Sequence, residues 1–185
     1  MLKFFSELYK PVSPNVGLCA KNIKLLICDV DGVLSDGRVY LGNHGEELKA
    51  FHTKDGFGLR SLMKSGVDIA IITGRESKIV ADRMEYLGID LVYQGVEDKI
   101  CAYKDITART NIDPSQICYI GDDLVDLPVM DLVGIKAAVA DCHPILKRHA
   151  NYVTVTNGGF GAVREVCDLI LAAKNELGKN IVLSA

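Results

Sequence analysis

Apolar runs alternate with helix-like segments along most of the chain. Six runs are predicted to be strands, over Lys24–Val30, Val67–Ile72, Asp90–Tyr93, Gln116–Ile120, Ile135–Val139 and Tyr152–Val155. Six segments are predicted to be helices, over Gly56–Ser65, Glu76–Leu87, Asp98–Thr110, Leu127–Val133, Pro144–His149 and Gly161–Leu177. Strands that alternate with helices form parallel sheets, so the pattern predicts an α/β fold with a doubly wound, Rossmann-like parallel sheet. The first, second and fourth runs are continuously apolar, which is typical of strands covered on both faces.

One segment departs from this alternation. Between Leu34 and Phe51 the sequence RVYL-GNHG-EELKAF places two half-alternating stretches around Gly42 and Gly45. Such stretches around glycines predict a β-hairpin, inserted at about residues 34–51 directly after the first strand. Ligand-facing loops of these folds lie at the same place.

Composition and charge exclude several classes of protein. A net charge of −3 and a pI of about 5.8 provide no basic face, so no nucleic-acid partner is expected. The N-terminal MLKFFSELYKP lacks the uninterrupted apolar core of a signal peptide. No apolar run approaches the roughly 20 residues of a membrane span, so no membrane partner is expected. The six cysteines form no C-x-x-C pair, and Cys28 and Cys118 lie in apolar runs. We therefore expect reduced core cysteines and a cytoplasmic location.

The strongest chemical pattern is Asp29-Val30-Asp31-Gly32, at the end of the first predicted strand. Side chains two positions apart on a strand point the same way, so both carboxylates face the mouth of the sheet. Two like charges there require a cation, and ligation by oxygen atoms alone favours Mg²⁺.

Further polar residues follow the next strands in turn. Thr73 follows the second strand, Lys99 opens the helix after the third, and Gly121-Asp122-Asp123 follows the fourth, with Asp126 one helical turn later. Taken singly, Thr73, Asp123 or Asp126 could cap a helix, and Lys99 could be a solvated helix residue. Together they converge on one crevice, because each lies just beyond the carboxyl end of a strand.

The segments D-V-D-G, T-G-R, E-D-K and G-D-D-L-V-D resemble the four motifs of the haloacid dehalogenase superfamily of phosphotransferases. The resemblance extends from about Lys24 to Leu171. Longer strings are similar to the 3-deoxy-D-manno-octulosonate 8-phosphate phosphatase family, although such strings also occur in related nonulosonate phosphatases. These strings are DVDGVLSDG, GEELKAF, KDGFG, AIITGR, GDDLVDLPVM, AVADCHP and GAVREVCDLIL.

The resemblance implies a Mg²⁺-dependent phosphatase that works through an aspartyl-phosphate. Asp29 would be the nucleophile, and Asp31 the acid that protonates the leaving alkoxide and then the base that activates water. Thr73 would donate to a phosphoryl oxygen and Lys99 would offset negative charge. The metal would bind the carboxylates of Asp29 and Asp122 and the backbone carbonyl of Asp31.

The resemblance also implies a substrate and an assembly. The substrate would be 3-deoxy-D-manno-octulosonate (KDO) 8-phosphate, a precursor for lipopolysaccharide, or alternatively a sialic-acid-like 9-phosphate. The subunits would form a homotetramer whose hairpins meet at its centre. The residues around the sugar acid would be Asp31, His52, Thr53, Lys54, Asp55, Gly56, Arg60, Arg75, Arg83 and Lys99. For Arg60 and Arg83 a solvated helix face remains an alternative.

The spacing between motifs leaves little room for a lid. Asp31 and Thr73 are 42 positions apart, and Thr73 and Lys99 are 26 apart. The predicted hairpin, helices and strands fill both intervals, so residues 1–185 are predicted to form one domain without a large cap. The hairpin or a neighbouring subunit would then have to exclude water from the site.

One position departs from the family pattern. In relatives, a glycine segment can approach a neighbouring active site and has a basic residue at its third position. In this chain the segment is Gly158-Gly159-Phe160-Gly161, with phenylalanine at that position. A simple glycine turn before the last helix is the alternative.

Two other classes of protein are weighed against the phosphatase. A signalling receiver domain also places acidic residues, a threonine and a lysine at strand ends, but its acidic pair comes first and its phospho-accepting aspartate later. Here the order is reversed, which disfavours a receiver. A non-catalytic assembly subunit is disfavoured because Asp29, Asp31, Thr73, Lys99 and Asp122 are all present.

Overall fold

The strands form one large sheet and one hairpin in the computed structural model, which describes residues 1–179. In chain order they are β1 Leu25–Cys28, β2 Tyr40–Leu41, β3 Glu47–Leu48, β4 Asp68–Ile72, β5 Leu91–Tyr93, β6 Ile117–Gly121, β7 Ile135–Ala138 and β8 Tyr152–Val153. All strands of the large sheet are parallel, in the order β5-β4-β1-β6-β7-β8. This confirms the predicted doubly wound α/β fold. Residues 180–185 of the predicted domain lie outside the described residues.

The six predicted helices are present, with some ends shifted. The helices are α1 Leu2–Leu8, α2 Pro14–Asn22, α3 Thr53–Lys64, α4 Lys78–Leu87, α5 Lys99–Thr110, α6 Leu127–Met130, α7 Pro144–His149 and α8 Ala162–Ala173. Helix α3 begins three residues before the predicted start because the His52 side chain accepts a bond from the Lys54 amide and caps it. Among the described residues, none of these helices is both long and apolar enough to cross a bilayer.

Helices α1 and α2 were not predicted from the sequence. Helix α1 has only 7 residues, too short to be stable alone in water, and its position depends on tertiary contacts. Phe5 is fully buried, and the Tyr9 hydroxyl donates to the Asp168 carboxylate of α8 at 2.9 Å. Helix α2 has the expected start signals, because the Ser13 side chain caps it and Pro14 occupies its first turn.

The strand order explains where a ligand can bind. Strand β1 lies in the middle of the sheet, between β4 and β6, and the connections run in opposite directions on its two sides. At such a switch point the loops after neighbouring strands diverge and leave a crevice at their carboxyl ends. Every residue of β1 and β6 is buried, so the sheet offers a rigid base for that crevice.

The hairpin is confirmed, although its strands are short. Tyr40 pairs with Leu48 and Leu41 with Glu47 in antiparallel register, and Gly42 N–H donates to the Glu46 carbonyl at 2.8 Å. Leu41 and Leu48 are 74 % and 68 % exposed, so apolar side chains of the hairpin face outward. Within residues 1–179 no larger insertion covers the carboxyl ends of the strands.

A buried carboxylate ties α3 to the start of α8. The first residue before α8 is Gly161, which has no side chain to cap the helix. Asp55, only 1 % exposed, takes this role from α3, because its Oδ1 accepts from Arg164 N–H at 2.7 Å. Its Oδ2 is buried without a partner, and burial raises the pKa of the Asp55 carboxyl to about 6.

Asp55→Asn is expected to remove one part of the pH dependence of stability. The folded-state pKa of Asp55 lies above its ordinary value of 3.8. The stability linked to its proton is therefore present below about pH 4 and is lost as the pH rises through about 6. The shift corresponds to a difference on the order of 2–3 kcal/mol in the free energy of unfolding.

Urea unfolding of both proteins from pH 4.5 to 7.5 measures the effect. The Asp55→Asn variant should become more stable relative to wild type as the pH rises, because its amide still accepts from Arg164 N–H and does not become charged. Parallel curves for the two proteins would show that Asp55 is not a buried acid with a raised pKa.

Candidate active site

The predicted catalytic residues meet in one crevice at the carboxyl ends of β1, β4 and β6. It is lined by Asp29, Asp31, Thr73, Gly74, Arg75, Val96, Glu97, Lys99, Asp122, Asp123 and Val125. The list includes every residue predicted from the sequence to carry catalysis or to hold the metal. Three of the predicted substrate contacts, Asp31, Arg75 and Lys99, are also among them.

Asp29 is placed by the end of β1. Its backbone N–H continues the ladder of the sheet by donating to the Ile120 carbonyl at 3.1 Å, and the residue is 6 % exposed. Residues 29–35 then form a tight turn, called the acidic turn below. Within it the backbone N–H groups of Val33, Leu34 and Ser35 all donate to the carbonyl of Val30. This tight turn holds Asp29 at the base of the crevice and brings Asp31 to its mouth.

Gly32 leaves room for the Asp122 carboxylate. Its φ of +87° lies in the left-handed region, and a Cβ at this position would lie 2.1 Å from Asp122 Oδ2. Any other residue would push the Asp122 carboxylate away from Asp29. The glycine of D-x-D-G therefore has a steric function that its place in the sequence alone does not show.

A glycine loop packs on the acidic turn from the side of α8. Gly159 N–H donates to the Val33 carbonyl at 2.9 Å. A Cβ on Gly158 would lie 1.6 Å from the Gly32 carbonyl oxygen, so this close backbone contact requires glycine. The glycine segment thus supports the active site of its own chain, while Phe160 stays 60 % exposed.

Lys99 is the buried cation of the site. It is the first residue of α5, where the Asp98 side chain caps the helix by accepting from Ile100 N–H. Its ammonium lies 3.0 Å from Asp29 Oδ1 and 2.7 Å from Asp126 Oδ1, and the residue is 6 % exposed. Its position beside Asp29 suits the role that the resemblance implied for it, which is to offset negative charge.

Asp126 holds the other polar groups in place. It is fully buried; Oδ1 accepts from Lys99 and from the Tyr119 hydroxyl, at 2.7 and 2.6 Å. Oδ2 accepts from the backbone N–H groups of Asp122 and Asp123 at 2.9 and 3.2 Å. Each oxygen already has two donors, so Asp126 positions the site and has little capacity left to bind a metal directly.

The carboxylates repel each other when they are ionised. Burial, then the charge of Asp126, raises the pKa of Asp29 to about 6, while Lys99 opposes the shift. Burial and then the charges of Asp29, Asp126 and Asp123 raise the pKa of Asp122 to about 8. One ammonium does not balance these carboxylates, so the ionised site calls for a further cation.

The available ligands suit a small divalent ion. Oxygen atoms of Asp29, Asp122 and Asp126 lie within 4.8 Å of one another. Because Asp126 is saturated, the side chains free to hold an ion are those of Asp29 and Asp122, as the sequence predicted. Carboxylate oxygens are the ligands that Mg²⁺ prefers in proteins, and the donor set fits this ion.

Asp31 has a partner that the sequence analysis missed. Lys49, which follows β3 and whose side chain is 3 % exposed, forms an ion pair with Asp31 Oδ1. Ser35 Oγ donates to the same oxygen at 3.2 Å. The string GEELKAF contained Lys49, but only folding of the hairpin back over the crevice brings it to Asp31.

Thr73 and Arg75 line the part of the crevice just beyond the end of β4. Thr73 directly follows β4, is 2 % exposed, and its hydroxyl makes no hydrogen bond to another described residue. Arg75 Nη2 lies 3.2 Å from Glu47 Oε1 on the hairpin. The alternative that Thr73 caps a helix does not hold, because Ser77 occupies the cap position of α4.

The remaining predicted substrate residues lie apart from the crevice. Asp55 is buried against α8, and the Gly56 backbone is close to the Arg83 guanidinium. The guanidinium of Arg60 stacks on Tyr86, with its carbon 4.6 Å from the ring centre. None of the residues in this second group lines the crevice of the single chain; the group comprises His52, Thr53, Lys54, Asp55, Gly56, Arg60 and Arg83.

Comparison with known proteins identifies the class to which this fold and site belong. Residues 88–166 match the family described as haloacid dehalogenase-like hydrolase. The 3-deoxy-D-manno-octulosonate 8-phosphate phosphatase KdsC of Yersinia pestis is 55 % identical over 174 residues, which cover 94 % of this chain and 93 % of the relative. The fold, the site and these similarities define a phosphoric monoester hydrolase of the haloacid dehalogenase type.

Solved structures agree with this class. The crystal structure of the Yersinia pestis phosphatase has a TM-score of 0.91 and 56 % identity, covering 92 % of each chain. The Moraxella catarrhalis phosphatase, solved with a magnesium ion, a phosphate ion and KDO, has a TM-score of 0.85 and 44 % identity, covering 88 % of this chain and 93 % of that one. The chain belongs to the family of 3-deoxy-D-manno-octulosonate 8-phosphate phosphatases.

Gly32→Ala is expected to lower phosphatase activity by about 10²-fold or more, because the new methyl group would displace the Asp122 carboxylate. Gly66→Ala is the matched control. Gly66 has a φ of +80°, close to the +87° of Gly32, but a Cβ there would meet nothing within 4 Å. Both variants should lose about 1–2 kcal/mol of stability from backbone strain. Phosphate release and thermal unfolding measure the two effects, and equal activities of the two variants would contradict the steric argument.

Proposed function

We propose that this protein hydrolyses 3-deoxy-D-manno-octulosonate 8-phosphate to KDO and inorganic phosphate, with Mg²⁺ as cofactor. The observation that carries the proposal is the contact of 3.0 Å between the Lys99 ammonium and Asp29 Oδ1 at the base of a crevice with Asp122. This arrangement suits a nucleophile that must approach a charged phosphoryl group. The choice of substrate is supported by the Yersinia pestis relative, which is a 3-deoxy-D-manno-octulosonate 8-phosphate phosphatase, and by the ligands of the Moraxella catarrhalis structure.

The chemistry proceeds by covalent catalysis at Asp29. A carboxylate oxygen of Asp29 attacks phosphorus, the bond to the sugar oxygen breaks, and an aspartyl-phosphate forms. Water then attacks the phosphorus, the bond between phosphorus and the Asp29 oxygen breaks, and inorganic phosphate and the free Asp29 carboxylate are released. Thr73 donates its free hydroxyl to a phosphoryl oxygen, and Lys99 offsets the charge that builds on the transferred group. When bound, Mg²⁺ supplies the positive charge that lets two anions approach each other.

Asp31 carries the proton in both steps. It lies at the mouth of the crevice, where the leaving sugar oxygen would emerge, and it is less buried than Asp29. As general acid it protonates the leaving alkoxide, and as general base it takes a proton from the attacking water. Its contact with Lys49 holds the side chain at this place.

The carboxylate of the sugar acid needs a cationic partner. Arg75 lines the crevice, and its side chain is 47 % exposed in its pair with Glu47. A guanidinium suits a carboxylate because it can donate two parallel hydrogen bonds. Arg75 would exchange Glu47 for the substrate, an exchange that is inexpensive because exposed ion pairs contribute little stability.

The same proposal assigns the enzyme to the cytoplasm, where it would supply a precursor for lipopolysaccharide. All six cysteines are free, and four of them are buried. Free cysteines are usual in a reducing compartment, which supports this location.

The substrate is tested by a phosphate-release screen. We expect release from 3-deoxy-D-manno-octulosonate 8-phosphate with Mg²⁺, none after removal of metal with EDTA, and recovery when Mg²⁺ is added back. Asp29→Asn should reduce release to background while its thermal unfolding stays close to wild type, because the amide keeps the shape but is no nucleophile. Faster turnover of a nonulosonate 9-phosphate would reassign the substrate, and an active Asp29→Asn variant would reject the nucleophile.

We further propose that the protein acts as a homotetramer with the hairpin at its subunit contacts. Val39, Leu41 and Leu48 are each more than half exposed. A two-stranded hairpin with outward apolar side chains is marginal in water and gains stability from a partner surface. Assembly would also bring a neighbour to the open crevice, and so shield a reaction that needs water excluded.

Leu48→Glu tests this assembly. Leu18→Glu on α2 is a matched control, because Leu18 and Leu48 are both 68 % exposed. Light scattering should show a tetramer for wild type and the control but smaller species for Leu48→Glu. The loss of kcat/KM should be larger for the sugar-acid phosphate than for p-nitrophenyl phosphate, whose leaving group needs little positioning. A fully active wild-type monomer would overturn the proposal.

A further inference from the structure

Tyr119 brings a hydroxyl group into the base of the active site from inside the sheet. It lies in the middle of β6, is fully buried, and belongs to the largest fully buried side chains of the described chain. The sequence pattern identified it only as part of an apolar strand. A tyrosine hydroxyl at such depth needs partners, because an unpaired buried polar group is costly.

Both partners of this hydroxyl belong to the site. It donates to Asp126 Oδ1 at 2.6 Å and accepts from Lys99 Nζ at 3.3 Å. The three groups form a closed triangle, because Lys99 Nζ also donates to Asp126 Oδ1, at 2.7 Å. All three are 6 % exposed or less, so little water is available to replace a missing member.

The ammonium of Lys99 has three oxygen atoms around it. Its nitrogen lies 3.0 Å from Asp29 Oδ1, 2.7 Å from Asp126 Oδ1 and 3.3 Å from the Tyr119 hydroxyl. Asp126 Oδ1 and the Tyr119 hydroxyl are only 2.6 Å apart, so these two oxygens lie on the same side of the nitrogen. A lysine side chain has four flexible methylene groups, so a single ion pair does not define where its nitrogen lies. The Asp29 carboxylate and the hydrogen-bonded pair of Asp126 and Tyr119 together define it, and they place the nitrogen beside Asp29.

We propose that Tyr119 is a positioning residue for phosphoryl transfer, whose hydroxyl holds the Lys99 ammonium against Asp29. This inference rests on the proposed function, since it assigns a role in the same reaction. Tyr119 touches neither the crevice nor any reacting atom and acts through Lys99. Without the hydroxyl, Lys99 loses its contact at 3.3 Å and Asp126 Oδ1 loses its donor at 2.6 Å, so the carboxylate that holds the ammonium beside Asp29 is itself less firmly placed.

Tyr119→Phe removes the hydroxyl and keeps the ring that fills the core. We expect kcat to fall about tenfold, the scale of one hydrogen bond to a charged group. Tyr152→Phe is the matched control, because the Tyr152 hydroxyl donates to the buried Glu165 carboxylate at 2.7 Å, outside the crevice. This control should lose comparable thermal stability and keep the kcat of wild type.

A double-mutant cycle separates positioning from a general structural effect. If Tyr119 acts through Lys99, then Tyr119→Phe should change kcat by less than about twofold when Lys99 is already alanine. Calorimetry with inorganic phosphate and Mg²⁺ gives a second readout, in which Tyr119→Phe weakens phosphate binding and Tyr152→Phe does not.

The inference and the proposed function can fail separately. The cycle is run with p-nitrophenyl phosphate as well as with the sugar-acid phosphate. The test of Tyr119 therefore remains valid even if the natural substrate proves to be a different phosphate ester. A kcat of Tyr119→Phe within twofold of wild type would overturn the inference. So would an undiminished tenfold loss in the Lys99→Ala background, or an equal loss in the Tyr152→Phe control.

Discussion

The contact of the buried Lys99 ammonium with Asp29 and Asp126 is the interaction on which the rest of the site depends. The two carboxylates lie at the base of the crevice with little water, and Asp122 adds a third negative charge nearby. Burial, and after it the neighbouring carboxylates, raises the pKa of Asp29 to about 6 and that of Asp122 to about 8 even with Lys99 in place, so keeping both ionised calls for a further cation. In the proposed mechanism Asp29 attacks as a carboxylate, so charge balance and catalytic competence would be the same requirement.

The fold meets this requirement with rigid elements. Strands β1 and β6 deliver Asp29 and Asp122 from neighbouring positions at the switch point of the sheet, and α5 delivers Lys99 from its first turn. Asp126 then joins these elements, because one of its oxygens binds Lys99 and the other binds the backbone around Asp122. The site therefore does not depend on long mobile loops, which suits a reaction whose barrier is lowered mainly by positioning and charge.

The mouth of the crevice is built differently from its base. Two ion pairs connect the hairpin to the crevice. Lys49 pairs with Asp31, which follows β1, and Glu47 pairs with Arg75, which follows β4. Several predicted substrate residues nevertheless lie outside this crevice, including Arg60, which stacks on Tyr86 of α4, and Arg83, which belongs to α4. In the single chain the residues proposed to act on the phosphoryl group meet in one crevice, whereas several residues proposed to contact the sugar acid lie outside it, which is why assembly belongs to the proposed function.

The sequence by itself determined the fold class, the order of the core elements and the main residues that meet in the crevice. It could do so because apolar periodicity predicts strands and helices, and because in a parallel sheet every residue just past a strand reaches the same edge. Asp29, Thr73, Lys99 and Asp122 were identified in this way. Short helices such as α1 were missed, since a helix of 7 residues is stabilised by its packing on α8 and leaves only a weak local pattern.

Only the tertiary structure decided how these residues divide their roles. That Lys49 reaches Asp31, that Asp55 caps α8, and that Tyr119 supports Lys99 all depend on contacts between segments distant in sequence. By pattern alone Asp126 could cap the following helix. In space one of its oxygens accepts from the backbone N–H groups of Asp122 and Asp123, while the other accepts from Lys99 and the Tyr119 hydroxyl. Whether an oxygen already has its hydrogen-bond donors, and whether a side chain would clash, depends on neighbours in space. The pattern of residues along the chain does not reveal either.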